Sequence, residues 1–185
     1  MVYVFLADGF EEVEALAPVD LLRRAGVEVE TVSIVENRRA VTGARGVSVM
    51  ANITISEVNY DRAEIIVLPG GMPGTTNLAA CDELMKKVDE FATSGDKSKR
   101  VAAICAAPAR ILGARGLLKG KKATCYPGME GEMAEAIAVT DPVVTDGNIT
   151  TSRGMGTAMN FGIELVKHLC GEDKANEIAK SVVMF

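Results

Sequence analysis

The stretch Arg-Val-Ala-Ala-Ile-Cys-Ala-Ala-Pro-Ala, residues 100–109, decides the fold class of this chain. Val101 to Ile104 is a short run of small and β-branched apolar residues, which is typical of a buried strand. Cys105 ends the run, and Pro108 then stands at a position favoured in the first turn of a helix. Strand, cysteine, tight turn and helix together form the pattern of a nucleophile elbow, which lifts one side chain above the edge of a sheet.

This stretch leaves two interpretations of Cys105 open. As a nucleophile, the thiol would lie at a helix N-terminus, whose partial positive charge favours thiolate over thiol. As a structural residue, it would be a buried cysteine at the end of a core strand, since free cysteine is common in protein cores. The surrounding sequence has to decide between them.

Buried strands and amphipathic helices alternate along the rest of the chain. We expect strands at 2–7, 27–35, 63–68, 101–104 and 122–126, hairpins at 40–49 and 143–151, and helices at 10–25, 73–80, 82–93, 107–115, 156–169 and 172–183. This alternation predicts one α/β domain over residues 1–185, with a mostly parallel central sheet and helices on both faces.

Ligands of such sheets bind beyond the carboxyl ends of the strands. Three features are predicted to meet there: the acids after the first strand, the Pro69-Gly70-Gly71 turn, and Cys105. Their coincidence favours the nucleophile interpretation of the cysteine.

Composition excludes several classes of function. The net charge is −5 and no basic stripe is present, which argues against a nucleic-acid partner. No apolar stretch approaches the length of a membrane span. The cysteines at 81, 105, 125 and 170 form no CxxC pair, and the single histidine, His168, completes no zinc motif. We therefore expect a reduced, cytoplasmic protein without a metal or cofactor.

Glu14 is the acid most suited to a chemical role. Glu11, Glu12 and Glu14 open the first predicted helix, where acids complement the helix dipole, and this explanation suffices for Glu11 and Glu12. Glu14 instead heads an apolar stripe that continues to Leu21. An ionised carboxyl group is costly on a buried face, so we expect Glu14 to be protonated, to donate a hydrogen bond to a thiolate and to shuttle a proton.

Two turns carry weaker signals. Gly70 and Gly71 would either direct backbone N–H groups toward an oxyanion or form a plain strand-to-helix turn. Arg153 would either bind an anion or be an exposed residue of its turn. His168 lies within the predicted helix 156–169 and is expected to be structural, so a Cys–His dyad is not expected.

Five motifs, taken in order, resemble the ThiJ/PfpI superfamily, in the branch of the Parkinson-linked deglycase and its bacterial chaperone-like relatives. They are Glu-Glu-Val-Glu-Ala (11–15), Pro-Val-Asp-Leu-Leu-Arg-Arg-Ala-Gly (18–26), Val-Leu-Pro-Gly-Gly (67–71), Ala-Ala-Ile-Cys-Ala-Ala-Pro (102–108) and Thr-Ser-Arg-Gly-Met-Gly-Thr (151–157). The resemblance covers almost the whole chain and implies a flavodoxin-like sandwich that forms a homodimer.

The resemblance also implies roles for individual residues. Cys105 would be the nucleophile and Glu14 its protonated partner, with backbone N–H groups of the Gly70–Gly71 turn and of Ala106 around an oxyanion. The implied substrate or anion pocket includes Tyr126 and Arg153, and Arg24 or Arg45 would contribute to it near the dimer interface. Tyr126 stands where many members have a histidine, so Glu14 would have to act as both acid and base.

The function implied by the resemblance is that of a cofactor-independent cysteine enzyme. Its substrates would be small α-oxoaldehydes such as methylglyoxal, or the early glycation adducts that such aldehydes form on protein side chains. The alternative is a redox-responsive chaperone or oxidative-stress sensor that signals through oxidation of Cys105. A third possibility is a structural dimer whose site is vestigial and whose thiol is ordinary.

Overall fold

A computed structural model describes residues 1–184 of the chain. The strands are β1 (Val2–Leu6), β2 (Val29–Ser33), β3 (Ala40–Thr42), β4 (Ser48–Met50), β5 (Ile53–Thr54), β6 (Ile65–Leu68), β7 (Arg100–Ile104), β8 (Lys122–Ala123), β9 (Ile137–Ala138), β10 (Val143–Asp146) and β11 (Ile149–Ser152). The α-helices are α1 (Glu12–Arg24), α2 (Gly74–Ala79), α3 (Asp82–Ala92), α4 (Ala158–Cys170) and α5 (Glu172–Ser181). Short 3₁₀ turns occupy Ile55–Glu57, Tyr60–Arg62, Glu130–Glu132 and Met155–Thr157.

Seven strands form the central sheet, in the order β10-β11-β7-β6-β1-β2-β5. All neighbouring pairs are parallel except β10 and β11, which form the antiparallel hairpin expected around residues 146–148. The predicted α/β fold with a mostly parallel sheet is therefore confirmed. β1, β6 and β7 lie side by side in the middle, so the loops that follow them meet at one edge.

The central sheet separates two hydrophobic clusters. In β1, Tyr3 and Phe5 face one cluster while Val2, Val4 and Leu6 face the other, as the alternation of side chains along a strand requires. Helices α2 and α3 cover the first face, and α1, α4 and α5 cover the second. Because both faces are covered, every residue of β1 and β6 is buried, which explains their uninterrupted apolar runs.

The predicted helix at 107–115 is wrong in type. Its ordered part is a π-helical segment over Pro108–Gly113, in which the Ala114 N–H donates to the Ala109 carbonyl, five residues back, at 3.1 Å. Such wide turns are rare and concentrate at functional sites.

The predicted strand at 122–126 is too long. Only Lys122–Ala123 is a strand, and it pairs with β9 outside the central sheet. The chain then leaves strand geometry because the Thr124 N–H donates to the Thr151 side chain and the Tyr126 N–H to the Cys105 carbonyl. Within residues 1–184, no helix has the length and apolar composition needed to cross a membrane.

Candidate active site

Cys105 lies in a sharp turn directly after β7, at the carboxyl edge of the central sheet. Its φ of +66° falls in the left-handed region, which is unfavourable for a residue with a side chain and is found mainly where surrounding contacts impose it. Two backbone hydrogen bonds impose it here. The Cys105 N–H donates to the Ser152 carbonyl at 3.0 Å, and the Cys105 carbonyl accepts from the Tyr126 N–H at 2.9 Å.

Glu14 lies in the first turn of α1, is 1% exposed and lies next to the side chain of Cys105, across Gly70. Its Oε2 accepts the Gly70 N–H at 2.9 Å, and the Met155 N–H also donates to its carboxyl group. Glu11 caps α1 by accepting the Glu14 N–H at 2.7 Å, which fixes the turn from which Glu14 projects. The structure thus brings together the acid and the thiol that were predicted to act as a pair.

The electrostatics of this pair are dominated by burial. Burial raises the pKa of Glu14 to about 7, and the charge of Glu11 adds to that increase. Burial, followed by the charge of Glu14, raises the pKa of the Cys105 thiol to about 12, against the opposing effect of the Ala106 and Gly71 N–H groups. Desolvation therefore outweighs the preference for thiolate that a helix N-terminus provides at Cys105.

The two groups titrate as one unit. Two negative charges in contact repel each other, so the pair loses one proton near neutral pH and retains the second. After the pair has lost one proton, the remaining proton is held either by Glu14 or by Cys105. When Glu14 holds it, the acid is neutral, no longer repels the thiolate, and its O–H can donate to Sγ. This form is in equilibrium with the form that contains a carboxylate and a neutral thiol.

The backbone donors around the pair divide into two sets. The N–H groups of Ala106 and Gly71 face the Cys105 sulfur and act to lower its pKa, and Gly71 reaches its position with a φ of +89°. The Gly70 N–H donates to Glu14 instead. The prediction that Gly70 contributes an oxyanion donor is therefore wrong, because its one N–H is engaged by the buried carboxyl group.

Gly70 is required for a steric reason that the sequence did not suggest. A β-carbon at this residue would lie 2.6 Å from Cys105 Cβ and 2.6 Å from Glu14 Oε2, closer than real β-carbons approach other atoms. The absence of a side chain therefore lets the acid and the thiol meet across the end of β6.

We expect Gly70→Ala to fold but to lose about a hundredfold in activity at Cys105, because a displacement near 1 Å at reacting groups has effects of that size. The measurement is the rate at which iodoacetamide alkylates Cys105. Gly95→Ala is the matched control, since a β-carbon there meets nothing within 4 Å. Equal activity in the two variants would show that close contact of the pair is unnecessary.

A cavity of about 900 Å³ opens above Cys105. Tyr126, Arg45 and Arg153 line it, as do Arg110, which sequence analysis did not single out, and the 3₁₀ turn Met155–Thr157. Arg110 forms an ion pair with Glu132 at 3.3 Å. Neither Arg45 nor Arg153 has an ion-pair partner within residues 1–184, so two guanidinium groups are available to a ligand.

Arg24 does not belong to this cavity. It lies in the last turn of α1, where it pairs with Asp20 at 2.6 Å, and α1 rises about 15 Å between Glu14 and Arg24. Arg24 therefore does not line the cavity of its own chain, and its expected place near a dimer interface stays a prediction. His168 also lies elsewhere, with Nε2 3.0 Å from Thr145 Oγ1 and 3.3 Å from Glu164 Oε1, so it supplies no imidazole to Cys105.

Glu12 is the residue whose role was most clearly missed. It is buried, and its Oε1 accepts the N–H groups of Arg45 and Val47. Complementarity to the helix dipole is therefore not its main interaction. Its partners lie more than 30 residues away along the chain, so no local sequence pattern could have indicated them.

Within residues 1–184, no group of three or more His, Cys, Asp or Glu side chains is arranged to hold a metal ion.

The raised pKa of Glu14 predicts how stability depends on pH. A carboxyl group whose folded pKa exceeds its ordinary 4.5 stabilises the fold below pH 4.5, and this contribution is lost as pH rises to about 7. Glutamine at this position stays neutral throughout. We therefore expect Glu14→Gln to match the wild type near pH 4.5 and to become more stable by about 3 kcal/mol above pH 7.

Urea unfolding at pH 4.5, 6 and 8 measures this difference. Glu36→Gln serves as the control, because Glu36 is exposed and its replacement should leave the pH dependence unchanged. A Glu14→Gln variant that is less stable than the wild type at pH 8 would contradict the prediction.

The fold and the site define a class of protein: α/β proteins with a cysteine at an elbow and a buried acid in contact with its sulfur. The DJ-1/PfpI family model matches residues 1–168. The chain belongs to the DJ-1/PfpI family, as the five sequence motifs predicted.

Individual relatives extend this finding. Protein DJ-1 homolog B of Arabidopsis thaliana is 44% identical over 184 residues, which are 99% of this chain and 41% of that protein. This chain thus spans less than half of that relative. Glutathione-independent glyoxalase DJ-1 of Schizosaccharomyces pombe is 32% identical over 99% of this chain and 98% of its own length. The structure of oxidized Toxoplasma gondii DJ-1 superimposes with a TM-score of 0.91, at 35% identity, over 98% of this chain and 97% of that one.

Proposed function

We propose that this protein is a cofactor-independent cysteine enzyme that converts small α-oxoaldehydes such as methylglyoxal into 2-hydroxy acids. The observation that carries the proposal is the adjacent Cys105–Glu14 pair at the base of an open cavity. The Schizosaccharomyces pombe relative is named a glutathione-independent glyoxalase, which supports the same chemistry. Early glycation adducts on protein side chains are a second substrate class, because they retain the former aldehyde carbon, which is the atom that the thiolate attacks in the proposed reaction.

The first step forms a carbon–sulfur bond. The singly ionised pair provides a Cys105 thiolate, which adds to the aldehyde carbon while Glu14 gives its proton to the resulting oxyanion. The product is a hemithioacetal. The N–H groups of Ala106 and Gly71 already point at the sulfur, so they are near enough to donate to the oxygen that develops on the adjacent carbon.

The second step moves a proton between carbons. The Glu14 carboxylate removes the proton from the carbon that carries the sulfur, and the neighbouring ketone oxygen takes up a proton from water, which gives an enediol. Glu14 then returns its proton to the neighbouring carbon, and the hydroxyl group on the sulfur-bearing carbon releases its proton to water. This sequence converts the hemithioacetal into a thioester of the 2-hydroxy acid. Water then hydrolyses the thioester and restores the thiol, so that one aldehyde and one water give one hydroxy acid. A carboxyl group with a pKa near 7 is suited to both directions of transfer at neutral pH.

Turnover in D₂O tests the proposal directly. Methylglyoxal without glutathione should give lactate with deuterium at C2, because a proton held by Glu14 exchanges with solvent between removal and return. Mass spectrometry of the lactate measures the label. Absence of lactate would reject the enzyme, whereas lactate with only protium at C2 would replace the Glu14 proton transfer by a direct hydride shift.

A redox sensor or redox-responsive chaperone is the second candidate. The observation that favours it is that Cys105 is partly exposed, with two N–H groups aimed at its sulfur, and these donors would also bind the oxygens of a sulfinate. Titration with peroxide, followed by intact-mass analysis, separates the two functions. Rapid gain of two oxygens on Cys105 without any aldehyde turnover would favour the sensor.

We also propose a cytoplasmic, reducing location for the protein. The four cysteines are free, which agrees with that location.

We also propose that two copies of the chain form a dimer through α1 and the β3–β4 hairpin. Val13 and Leu16 on α1 are exposed apolar residues, as are Val47 and Met50 on the hairpin, with Met50 71% exposed. The Val47 N–H donates to Glu12 at the start of α1, which places both elements on one surface. Such a surface is typical of a protein–protein interface.

Sedimentation equilibrium should give a mass near twice the 19.5 kDa of one chain. The Leu16→Glu variant should shift it to that of one chain, because burying an unpaired charge disfavours association. Leu117→Glu, a partly buried residue outside this surface, controls for a general effect of the charge. A wild type that sediments as a single chain would reject the dimer.

A further inference from the structure

Glu12 is a buried carboxyl group that the proposed chemistry does not use. The residue is 7% exposed. Its Oε1 accepts the Arg45 N–H at 2.7 Å and the Val47 N–H at 3.3 Å. Its Oε2 is buried and has no hydrogen-bond partner within residues 1–184. A half-satisfied buried acid is unfavourable for stability, so its presence needs an explanation.

The loop between β3 and β4, residues 43–47, is built around this carboxyl group. A β-carbon at Gly43 would overlap the Glu12 carboxyl carbon, so the loop needs glycine where it passes the acid. The Gly43 N–H donates to the Val47 carbonyl at 2.9 Å, and the Ala44 N–H donates to the Phe10 carbonyl at 2.7 Å. The loop is therefore attached both to itself and to the start of α1.

This attachment determines where Arg45 lies. Ala44 and Arg45 line the same cavity as Cys105, and Glu12 binds the backbone of Arg45 while leaving its guanidinium group without an ion-pair partner in the described residues. Glu12 is two residues from Glu14 on the first turn of α1. One helical turn thus supports both the reacting pair and the loop that brings a positive charge to the rim of the cavity.

We propose that Glu12 is a positioning residue that holds Arg45 at the rim of the Cys105 cavity, and that the resulting loop selects carbonyl substrates that carry a negative charge on the side chain remote from the aldehyde. This inference rests on the proposed function for its substrate class. Preference for anions at Cys105 can be measured by alkylation of the thiol, without turnover. The inference and the proposed function can therefore be tested separately.

Alkylation tests the positioning without requiring turnover. Iodoacetate and iodoacetamide have nearly the same size and differ in charge, and mass spectrometry gives their rates at Cys105 and at the exposed Cys170 in the same molecule. We expect the iodoacetate-to-iodoacetamide rate ratio to be higher at Cys105 than at Cys170. Arg45→Gln should lower the ratio at Cys105 about tenfold, the size of a hydrogen bond to a charged group.

Glu12→Ala should lower that ratio by a similar factor although it removes no positive charge. Because Glu12 acts through Arg45, the double variant Glu12→Ala/Arg45→Gln should show no further loss. Glu12→Gln retains one carboxyl-like acceptor for the two N–H groups and should recover most of the ratio. Arg62→Gln is the matched control, since Arg62 is an exposed arginine paired with Glu28, outside the cavity.

Several results would overturn the inference. A wild-type ratio at Cys105 no higher than at Cys170, additive losses in the double variant, or equal slowing of both reagents by Glu12→Ala would each reject it. The last result would indicate a purely structural role, which sedimentation and thermal unfolding of the variant would also reveal. Failure of both reagents to modify Cys105 would reject an open anion-selective cavity.

Turnover then tests the substrate class. 4,5-Dioxopentanoate and 2-oxopentanal share an α-oxoaldehyde group and a chain length, and only the first carries a carboxylate. We expect the wild type to favour the anionic compound about tenfold in kcat/KM, with the preference lost in Arg45→Gln and Glu12→Ala. Equal turnover of both compounds would reject the selectivity and leave the proposed function intact, whereas turnover of neither would reject the proposed function and leave the alkylation result to decide on Glu12.

Discussion

Cys105→Ser should abolish the conversion of methylglyoxal to lactate, with a loss of at least about a thousandfold. Serine fits the elbow, but its hydroxyl group is far less acidic than a thiol, and Glu14, with a pKa of about 7, is too weak a base to ionise it. The fold should be unaffected, because the change replaces one sulfur atom in a partly exposed turn. Lactate formation measured at saturating substrate, with unfolding monitored in parallel, checks this result.

Cys170→Ser is the control for the loss of a thiol. Cys170 is exposed at the end of α4, so its replacement should leave turnover unchanged. Full activity in Cys105→Ser would end the covalent mechanism. Equal losses in the two variants would point to damage unrelated to the elbow.

Glu14→Gln should lower kcat by about 10²–10⁴, the contribution of a well-placed general acid and base. Glutamine preserves the size of the side chain and an oxygen that accepts the Gly70 N–H, but it cannot carry a proton between carbons. The loss should therefore fall on kcat, while Cys105 remains open to alkylation. A drop in alkylation as large as the drop in kcat would show that Glu14 acts only by preparing the thiol.

The pH profile distinguishes the acid–base role further. The wild type should gain activity as pH rises through about 7, because the Cys105–Glu14 pair then loses one proton and this loss allows the thiolate to form. This inflection should disappear in Glu14→Gln. A variant whose profile still turns near pH 7 would show that another group controls the ionisation.

These effects on activity are linked to the expected effect on stability. The burial that raises the pKa of Glu14 is the same burial that makes its charge unfavourable above pH 7. Glu14→Gln should therefore gain stability in the pH range where it loses activity. Such a trade-off is common where a functional site keeps a group that destabilises the fold. Gly70 contributes to the same compromise, because its missing side chain makes room for two groups that would otherwise be kept apart.

Much of the fold could be predicted from the sequence because its signals are local. Strands β1 and β6 are uninterrupted apolar runs, and the helices show their own periodicity and end residues. The elbow around Cys105 is likewise a local pattern of strand, turn and proline. Glu14 was singled out from its acidic neighbours because it heads an apolar stripe of α1, although Glu12 proved to be buried as well.

The misjudged residues depend on partners that are distant along the chain. The Gly70 N–H is engaged by an acid 56 residues earlier, and Glu12 binds a loop 33 residues later. Arg24 shares a helix with Glu14, yet the length of α1 carries it away from the cavity. The segment after Ala123 leaves its strand because contacts with Thr151 and Cys105 replace strand pairing.

From the sequence alone followed the alternation of strands and helices, the family, and the identity of the acid and the thiol, because periodicity and short motifs are properties of neighbouring residues. Only the tertiary structure decided how strongly burial opposes ionisation of that pair. It also decided which N–H groups face the sulfur, which N–H groups bind the carboxyl group, and which arginines of the chain line the cavity. Desolvation and hydrogen bonding depend on what surrounds a group in space, and the parallel sheet assembles those surroundings from segments far apart in the chain.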